Sequence, residues 1–374
     1  MKLTIPQPRL AAALSKGGAV APKSHAAPIV TNLRLTAIDG FLLIASTDMD
    51  RFAEAKTPAG VDATGDTTVS AAALTALVGR LPKDKDVAIE LEGEHLIVKC
   101  GRSRSKLPTL SPKLFPSWLD DAASVEVEMT GADLADRFGP PRPMSEPNGL
   151  TNVMLQGVHV AAQDGVMRFV ATNRYMVAMV TAATDVSFAG VTVPNETVDA
   201  ALRVFKSEER VVLAVSKNKV EFSNHAYRLG SKLIAETYPL AQVLGFLSAP
   251  PAGTITAPRA ALIESIERAR LGMDAEGVRA VVLLIPRAET DLEVKGFNSN
   301  GGEVRDGVEV DTTEGFEFAA FDPRYLLNVL SAMDGEEVEI RQCDDRIKHL
   351  IASPANPDFL GLVAAVRSNA AMAE

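Results

Sequence analysis

The chain has 374 residues, 47% of them hydrophobic and 23% charged, with a formal net charge of −10. That length accommodates two or three domains with cores of their own, which need no disulfide or metal staple, and the acidic balance argues against an evenly basic nucleic-acid-binding domain. Cys100 and Cys343 have no ligand-like spacing and read as buried free thiols, and with neither an apolar leader nor a membrane-length apolar run a cytoplasmic protein is expected.

In chain order, the first element is a helix with Leu10 and Leu14 on one face. NLRLTAIDGFLLIASTD then reads as two alternating strands turning at Asp39-Gly40, because an Asp-Gly pair between such runs favours a tight hairpin. A second helix carries Leu74, Val78 and Leu81 behind Ser70, a good N-cap residue. The strand VAIELEG starts at Val87, and SWLDDAAS reads as a linker.

The same order then returns. A helix with Leu134 and Phe138 precedes GVHVAAQDGVMRFVATN, which turns at Asp164-Gly165. Val198, Leu202 and Phe205 mark the next helix, with Asn195 available as its cap, and VVLAVSK follows from Val211. GFLSAPPAGT reads as a second linker. The third passage has a helix with Leu262 and Ile266, then VVLLIPRAETDLEVKGFN with a longer turn that lacks the Asp-Gly pair. Its second helix bears Leu326, Leu330 and Met333 behind Asp322, and VEIRQCD follows from Val338.

The repeat is arithmetical. Adding 124 to the apolar positions of both helices in the first passage gives those of the second, and a further 128 gives those of the third. The fold class is therefore α+β, with antiparallel sheets in three tandem repeats. The domains are expected at 1–120, 124–248 and 252–374.

Positive charge is unevenly spread. Arg9, Lys16, Lys23, Arg80 and Lys83 lie in or beside the helices of the first repeat, Arg137, Arg142, Arg203 and Lys206 in those of the second, and Arg259 and Arg268 in the third. The helices are near neutral, so the strands and loops hold the acid excess. Either the helices are solvated by mixed charge, or a basic helical lining faces phosphates within an acidic shell. No helix presents a recognisable base-reading set.

Templates for catalysis are missing. His25, His95, His159, His225 and His349 are never spaced i, i+4 as a metal pair would be. No glycine-rich phosphate loop precedes a helix and no nucleophile elbow occurs. Asp48 and Asp50 in STDMD would be the carboxylates of a metal-dependent hydrolase, or strand-end turn residues. Arg102, Arg104 and Lys106 form a phosphate patch or one face of an exposed strand. The expectation is a binding protein, not an enzyme, without cofactor or metal.

Several segments resemble the beta subunit of bacterial DNA polymerase III, the sliding-clamp family. They are the Pro28–Leu33 stretch, Ser46–Asp48, LEGEHLIVKCGRSRSKLPTL with Phe115-Pro116 beyond it, DGVMRFVATNRYMVA, SKLIAETYP and DPRYLLNVLSAM. The resemblance implies a head-to-tail homodimer closing six domains into a ring around double-stranded DNA, bound without regard to sequence, with helices lining the hole and sheets outside. It also implies a groove for short motifs of a replicative polymerase and a clamp loader. Carried over residue by residue, that groove uses Leu155, Thr172, Arg174, Tyr175, Met176, Val177, Pro239, Gln242, Val243, Leu362, Val363, Val366 and Arg367. An apolar trough with a few polar edges suits a short peptide.

This chain departs from the family pattern. Arg174-Tyr175-Met176-Val177 stands where Gly-His-Arg-Leu is usual, and AAVRS replaces a Met-Pro-Met-Arg-Leu type tail. At the expected subunit contact Leu107 and Leu271 are kept, whereas Ser105 replaces an aromatic and Gly272 a bulky aliphatic. Each missing apolar anchor removes about 1.5–3 kcal/mol of burial. A diverged, clamp-like partner-binding protein that does not ring DNA is the alternative reading.

Overall fold

The computed structural model describes residues 1–118, 122–271, 281–297 and 302–367. Its helices are α1 (Gln7–Gly17), α2 (Ala71–Val78), α3 (Gly131–Phe138), α4 (Asn195–Phe205), α5 (Leu240–Leu247), α6 (Arg259–Leu271) and α7 (Pro323–Ser331). All but α5 belong to the triplicated pattern. Every apolar position singled out by the repeat is buried except Leu202, which is half-buried, although Leu81 and Met333 lie just past the ends of α2 and α7. One stripe per helix therefore faces a core, as amphipathic spacing requires.

The helix starts follow side-chain chemistry. The Ser70 hydroxyl accepts the Ala73 amide hydrogen at 3.3 Å, and the Asp322 carboxylate accepts that of Arg324 at 3.0 Å. Asn195 does not cap α4. Its amide accepts from the Ser145 hydroxyl and donates to the Glu146 carbonyl and to Asn148, so it pins the preceding loop instead.

The hairpins at Asp39-Gly40 and Asp164-Gly165 turn with φ of 46° and 79° and of 56° and 76°, the doubly left-handed form that Asp-Gly favours. The third hairpin corrects an expectation. Its turn is the two residues Glu289-Thr290, no longer than the others, because a bulge between Pro286 and Ala288 absorbs the mismatch. The second linker is also shorter than read: Gly245–Leu247 finish α5 and Pro251–Thr254 begin a strand, leaving Ser248–Pro250. Val243 and Leu247, four apart and buried, give α5 its apolar face.

The chain divides into two compact units. One holds Met1–Leu134 with Glu196–Leu233, the other Ala135–Asn195 with the residues from Ile234 onward. This division cuts through the second repeat because the sheets run from one repeat into the next. In the first unit a 13-stranded sheet is continuous through the antiparallel pairing of Arg51–Pro58 with Tyr227–Lys232, with Phe52 opposite Gly230. In the second unit an 8-stranded sheet is continuous through Met176–Ala183 and Phe359–Ala364, with Val177 opposite Leu362. The second unit also has a 4-stranded sheet that ends in the edge strand Glu303–Glu309.

Candidate functional site

The joint between Met176–Ala183 and Phe359–Ala364 gathers the candidate groove residues. Alternate residues of a strand point to opposite faces. On one face Val177 and Leu362 join Leu155, Val170, Tyr238, Val243, Leu247, Cys343 and Leu350 in a single buried cluster, with Met154, Met179, Leu240 and Leu360 packed around it. α5 supplies Leu240, Val243 and Leu247, so this helix and the sheet enclose the apolar side chains of the candidate trough.

Four of the carried-over groove residues, Leu155, Val177, Val243 and Leu362, thus come together. Three do not. Met176 and Val363 are each one residue out of phase and lie on the other face: a side chain added at their neighbour Gly361 would strike Val329 of α7, and the Asn328 amide reaches the Met176 sulfur at 4.0 Å. Val366 packs on a separate cluster of Leu283, Ile285 and Ala320 and hydrogen-bonds the Ala320 carbonyl. Among the missed floor residues, Tyr238 could have been found from the Tyr-Pro pair opening α5, and Leu247 from its spacing to Val243.

The rim is a four-residue corner. Thr172 is buried and its hydroxyl donates to the Met176 carbonyl at 2.8 Å while accepting the Arg174 amide hydrogen at 3.1 Å. The Asn173 side chain accepts the amide hydrogens of Tyr175 and Met176. These bonds hold Arg174 at φ 77°, a left-handed conformation that side chains beyond Cβ disfavour. Its guanidinium lies 3.7 Å from Glu146, whose carboxylate is buried and also receives Asn152. The exposed Tyr175 ring stacks on Tyr325 of α7, centroids 5.5 Å apart and 8° from parallel. Gln242 and Arg367 are exposed and Pro239 is half-buried. Lys348 lies 5.9 Å over the Phe246 ring. It donates to Asp345, whose carboxyl is raised by burial but brought down further, to about 2, by hydrogen bonds from the Lys348 side chain and the Lys348 and Ile347 amides.

Beneath the floor, His159 stacks on Tyr238 with centroids 4.5 Å apart and shares a hydrogen bond with Thr192. Burial lowers its pKa to about 4 and pushes the Tyr238 hydroxyl far up. His349 is likewise lowered to about 4 by burial, against the Phe321 ring and Gln342. Both imidazoles are neutral floor and core elements.

The candidate DNA-facing cations divide into two kinds. Arg9, Lys23, Arg80, Lys83 and Lys206 are exposed, and no side-chain partner engages them among the described residues. The others have structural work. Lys16 is half-buried, pairs with Glu208 at 2.6 Å and lies 3.8 Å over the Tyr227 ring. Arg203 donates to the Ala19 carbonyl. Arg259 donates to the Leu330 and Gly335 carbonyls, covering the end of α7. Arg268 pairs with Asp306 and Glu264, and Arg142 donates to the Ser145 hydroxyl. Arg137 is half-buried.

The candidate subunit edge is the strand Ser103–Leu110. Arg104 and Lys106 are exposed on it, whereas Ser105 and Leu107 are half-buried. It pairs along its length with His95–Cys100 and touches Gly65–Ser70 only at Thr109 and Leu110. Leu271 ends α6 and is 69% exposed; Gly272 lies outside the described residues.

Asp48 is a turn residue. Its carboxylate accepts the amide hydrogens of Asp50 and Arg51 and pairs with the Arg51 guanidinium, while Asp50 pairs with Lys232. Among the described residues no three His, Cys, Asp or Glu side chains gather as a metal site, and no helix is long and apolar enough to cross a membrane.

Three family models of the DNA polymerase III beta subunit match the chain: the N-terminal domain over residues 1–120, the central domain over 144–240 and the C-terminal domain over 251–367. The beta sliding clamp of Caulobacter vibrioides is 30% identical over 368 residues, covering 96% of this chain and 97% of its own. That of Escherichia coli is 26% identical over 92% of this chain and 93% of its own. Among solved structures, the Caulobacter crescentus sliding clamp superposes with a TM-score of 0.90 at 27% identity, over 98% of this chain and all of its own. The Bacillus subtilis clamp, at 20% identity and a TM-score of 0.91, shares the fold over 99% of this chain and all of its own.

Proposed function

Because the chain belongs to the DNA polymerase III beta subunit family, the beta sliding clamps, we propose that two copies join head to tail into a ring of six clamp domains around duplex DNA. It is a processivity factor and has no catalytic chemistry of its own. The domains follow the repeats at 1–120, 124–248 and 252–374. A ring that cannot leave DNA turns each polymerase dissociation into a tethered one, which raises the effective concentration of the polymerase at the primer end.

The observation that carries ring closure is the shared pattern of the sheet joints. The second strand layer of the first repeat ends in Arg51–Pro58, which pairs with Tyr227–Lys232, and that of the second ends in Met176–Ala183, which pairs with Phe359–Ala364. In the third repeat the matching strand is Glu303–Glu309, which among the described residues pairs on one side only, with Asp291–Phe297. The matching acceptor edge in the first repeat is Ser103–Leu110. An open strand edge recruits another strand. The two edges also differ in charge: Glu303, Asp306 and Glu309 outnumber Arg305 on one, and Arg104 and Lys106 lie on the other. Leu107 and Leu271 add apolar surface there, with Ser105 and Gly272 beside them.

DNA meets the five unengaged cations Arg9, Lys23, Arg80, Lys83 and Lys206, which attract phosphates weakly and without sequence preference. The polymerase and the clamp loader dock short motifs in the trough of Leu155, Val177, Val243 and Leu362, with Thr172, Arg174, Tyr175, Pro239, Gln242 and Arg367 at its rim. Sedimentation equilibrium across a concentration series tests the ring: a stable dimer mass is expected, and a monomer at every micromolar concentration would refute closure by this chain alone.

A further inference from the structure

The trough has a counterpart in the first unit. Adding 125 to Ile29, Ala45 and Phe52 gives Met154, Val170 and Val177, and both sets pack as clusters. Phe115, from the Phe-Pro pair, completes the first cluster as Tyr238, from the Tyr-Pro pair, completes the second. Across the joint Phe52 faces Gly230 as Val177 faces Leu362. Lys219 opens the next strand just as Lys348 does. The rims match too, as Thr47-Asp48-Met49 repeats the hydrogen bonds of Thr172-Asn173-Arg174, with Met49 at φ 82°.

The difference is that the first trough is full. Trp118, the chain's single tryptophan, lies on Phe52, centroids 5.2 Å apart, with the Lys219 ammonium 5.1 Å over its ring. Gly230 makes the seat, since a methyl group there would collide with the indole. Lys219 is buried and Trp118 half-buried, and a cavity of about 180 Å³ lined by Trp118, Lys219, Glu126, Glu221 and Arg228 opens beside the ring. Stacking, cation and shaped floor together form a binding site for an indole.

We infer that the first joint is a second aromatic-binding groove, closed by Trp118 as an intramolecular ligand. It accepts a partner segment bearing an indole side chain only by exchange with Trp118. The likeness to a peptide groove rests on reading the second-unit trough as the polymerase-motif site; the indole seat itself does not. Each chain therefore holds this second groove shut with its own indole.

The test uses the full chain. Trp118→Gly is titrated with N-acetyltryptophanamide and with a synthetic peptide of its own residues 112–124, with or without the tryptophan replaced by alanine. Saturable binding of the tryptophan probes at one per chain, at least tenfold weaker for the alanine peptide and undetectable in the wild type, is expected. The same result is expected when Leu362→Lys has disabled the other trough, which separates this inference from the groove reading. A folded Trp118→Gly that binds no probe, or binds both peptides alike, overturns it. Gly230→Ala gives a second readout: its tryptophan emission is expected to shift red and its quenching by acrylamide to rise several-fold, whereas an unchanged emission refutes the seat.

Discussion

Met49 and Arg174 occupy the same left-handed corner of two copies of one turn, at φ 82° and 77°. In each, a threonine hydroxyl and an Asp or Asn side chain collect the same backbone groups. A non-glycine residue there costs about 1–2 kcal/mol. Glycine would relieve that while adding about 0.5–1 kcal/mol of unfolded-chain entropy. Met49→Gly is therefore expected to gain about 0.5–1 kcal/mol in urea unfolding. Arg174→Gly is expected to gain less, because Glu146 loses the guanidinium 3.7 Å away. Equal gains, or a loss at Met49, would contradict this.

Leu362 and Val366 separate the groove from its surroundings. Leu362→Ala is expected to weaken a polymerase-motif peptide by about 1.5–3 kcal/mol, roughly tenfold to a hundredfold in Kd. Val366→Ala, on another cluster, is expected to leave Kd within about twofold, a change of under about 0.5 kcal/mol. Fluorescence anisotropy on both variants reads the difference. Equal effects would mean that the peptide reaches beyond the trough.

Two classes of cation predict two phenotypes. Replacing Arg9, Lys83 or Lys206 with glutamine is expected to weaken DNA binding and to reduce its salt dependence by about 0.9 in log–log slope for each phosphate that is no longer neutralised. Lys16→Gln is expected to lower Tm instead, because Lys16 holds Glu208 and lies over Tyr227. A DNA-binding defect at Lys16 with unchanged Tm would reverse the assignment.

His159 and His349 make stability depend on pH. Their folded pKa values of about 4 lie below the ordinary 6.5, so the unfolded chain binds more protons between those limits. Their stabilising effect is complete above about pH 6.5 and is lost as pH falls toward 4. A Tm series over that window is expected to fall less steeply for His349→Gln than for the wild type. Parallel curves would show that the burial of His349 does not contribute to the pH dependence.

Much of this was legible in the sequence. The offsets of 124 and 128 exposed the repeats because apolar helix faces survive where other positions vary. The Asp-Gly pairs marked two hairpins because the doubly left-handed turn selects those residues. The sequence did not separate Leu362 from Val363, since strand phase is set by pairing, here Val177 opposite Leu362. Nor did it foresee that Lys16 and Arg259 are engaged by Glu208 and by α7 carbonyls, because those partners lie far along the chain. α5 was hidden in a linker reading whose Gly, Ser and Pro residues masked its apolar spacing.

The most direct test of the central claim is retention on DNA of defined topology. The protein is loaded by a clamp loader onto nicked circular plasmid, half of which is then linearised, and bound protein is followed by gel filtration. Retention on circles with loss from linear molecules is the expected result. Equal retention, or equal loss, would contradict encirclement and leave a partner-binding protein that does not ring DNA.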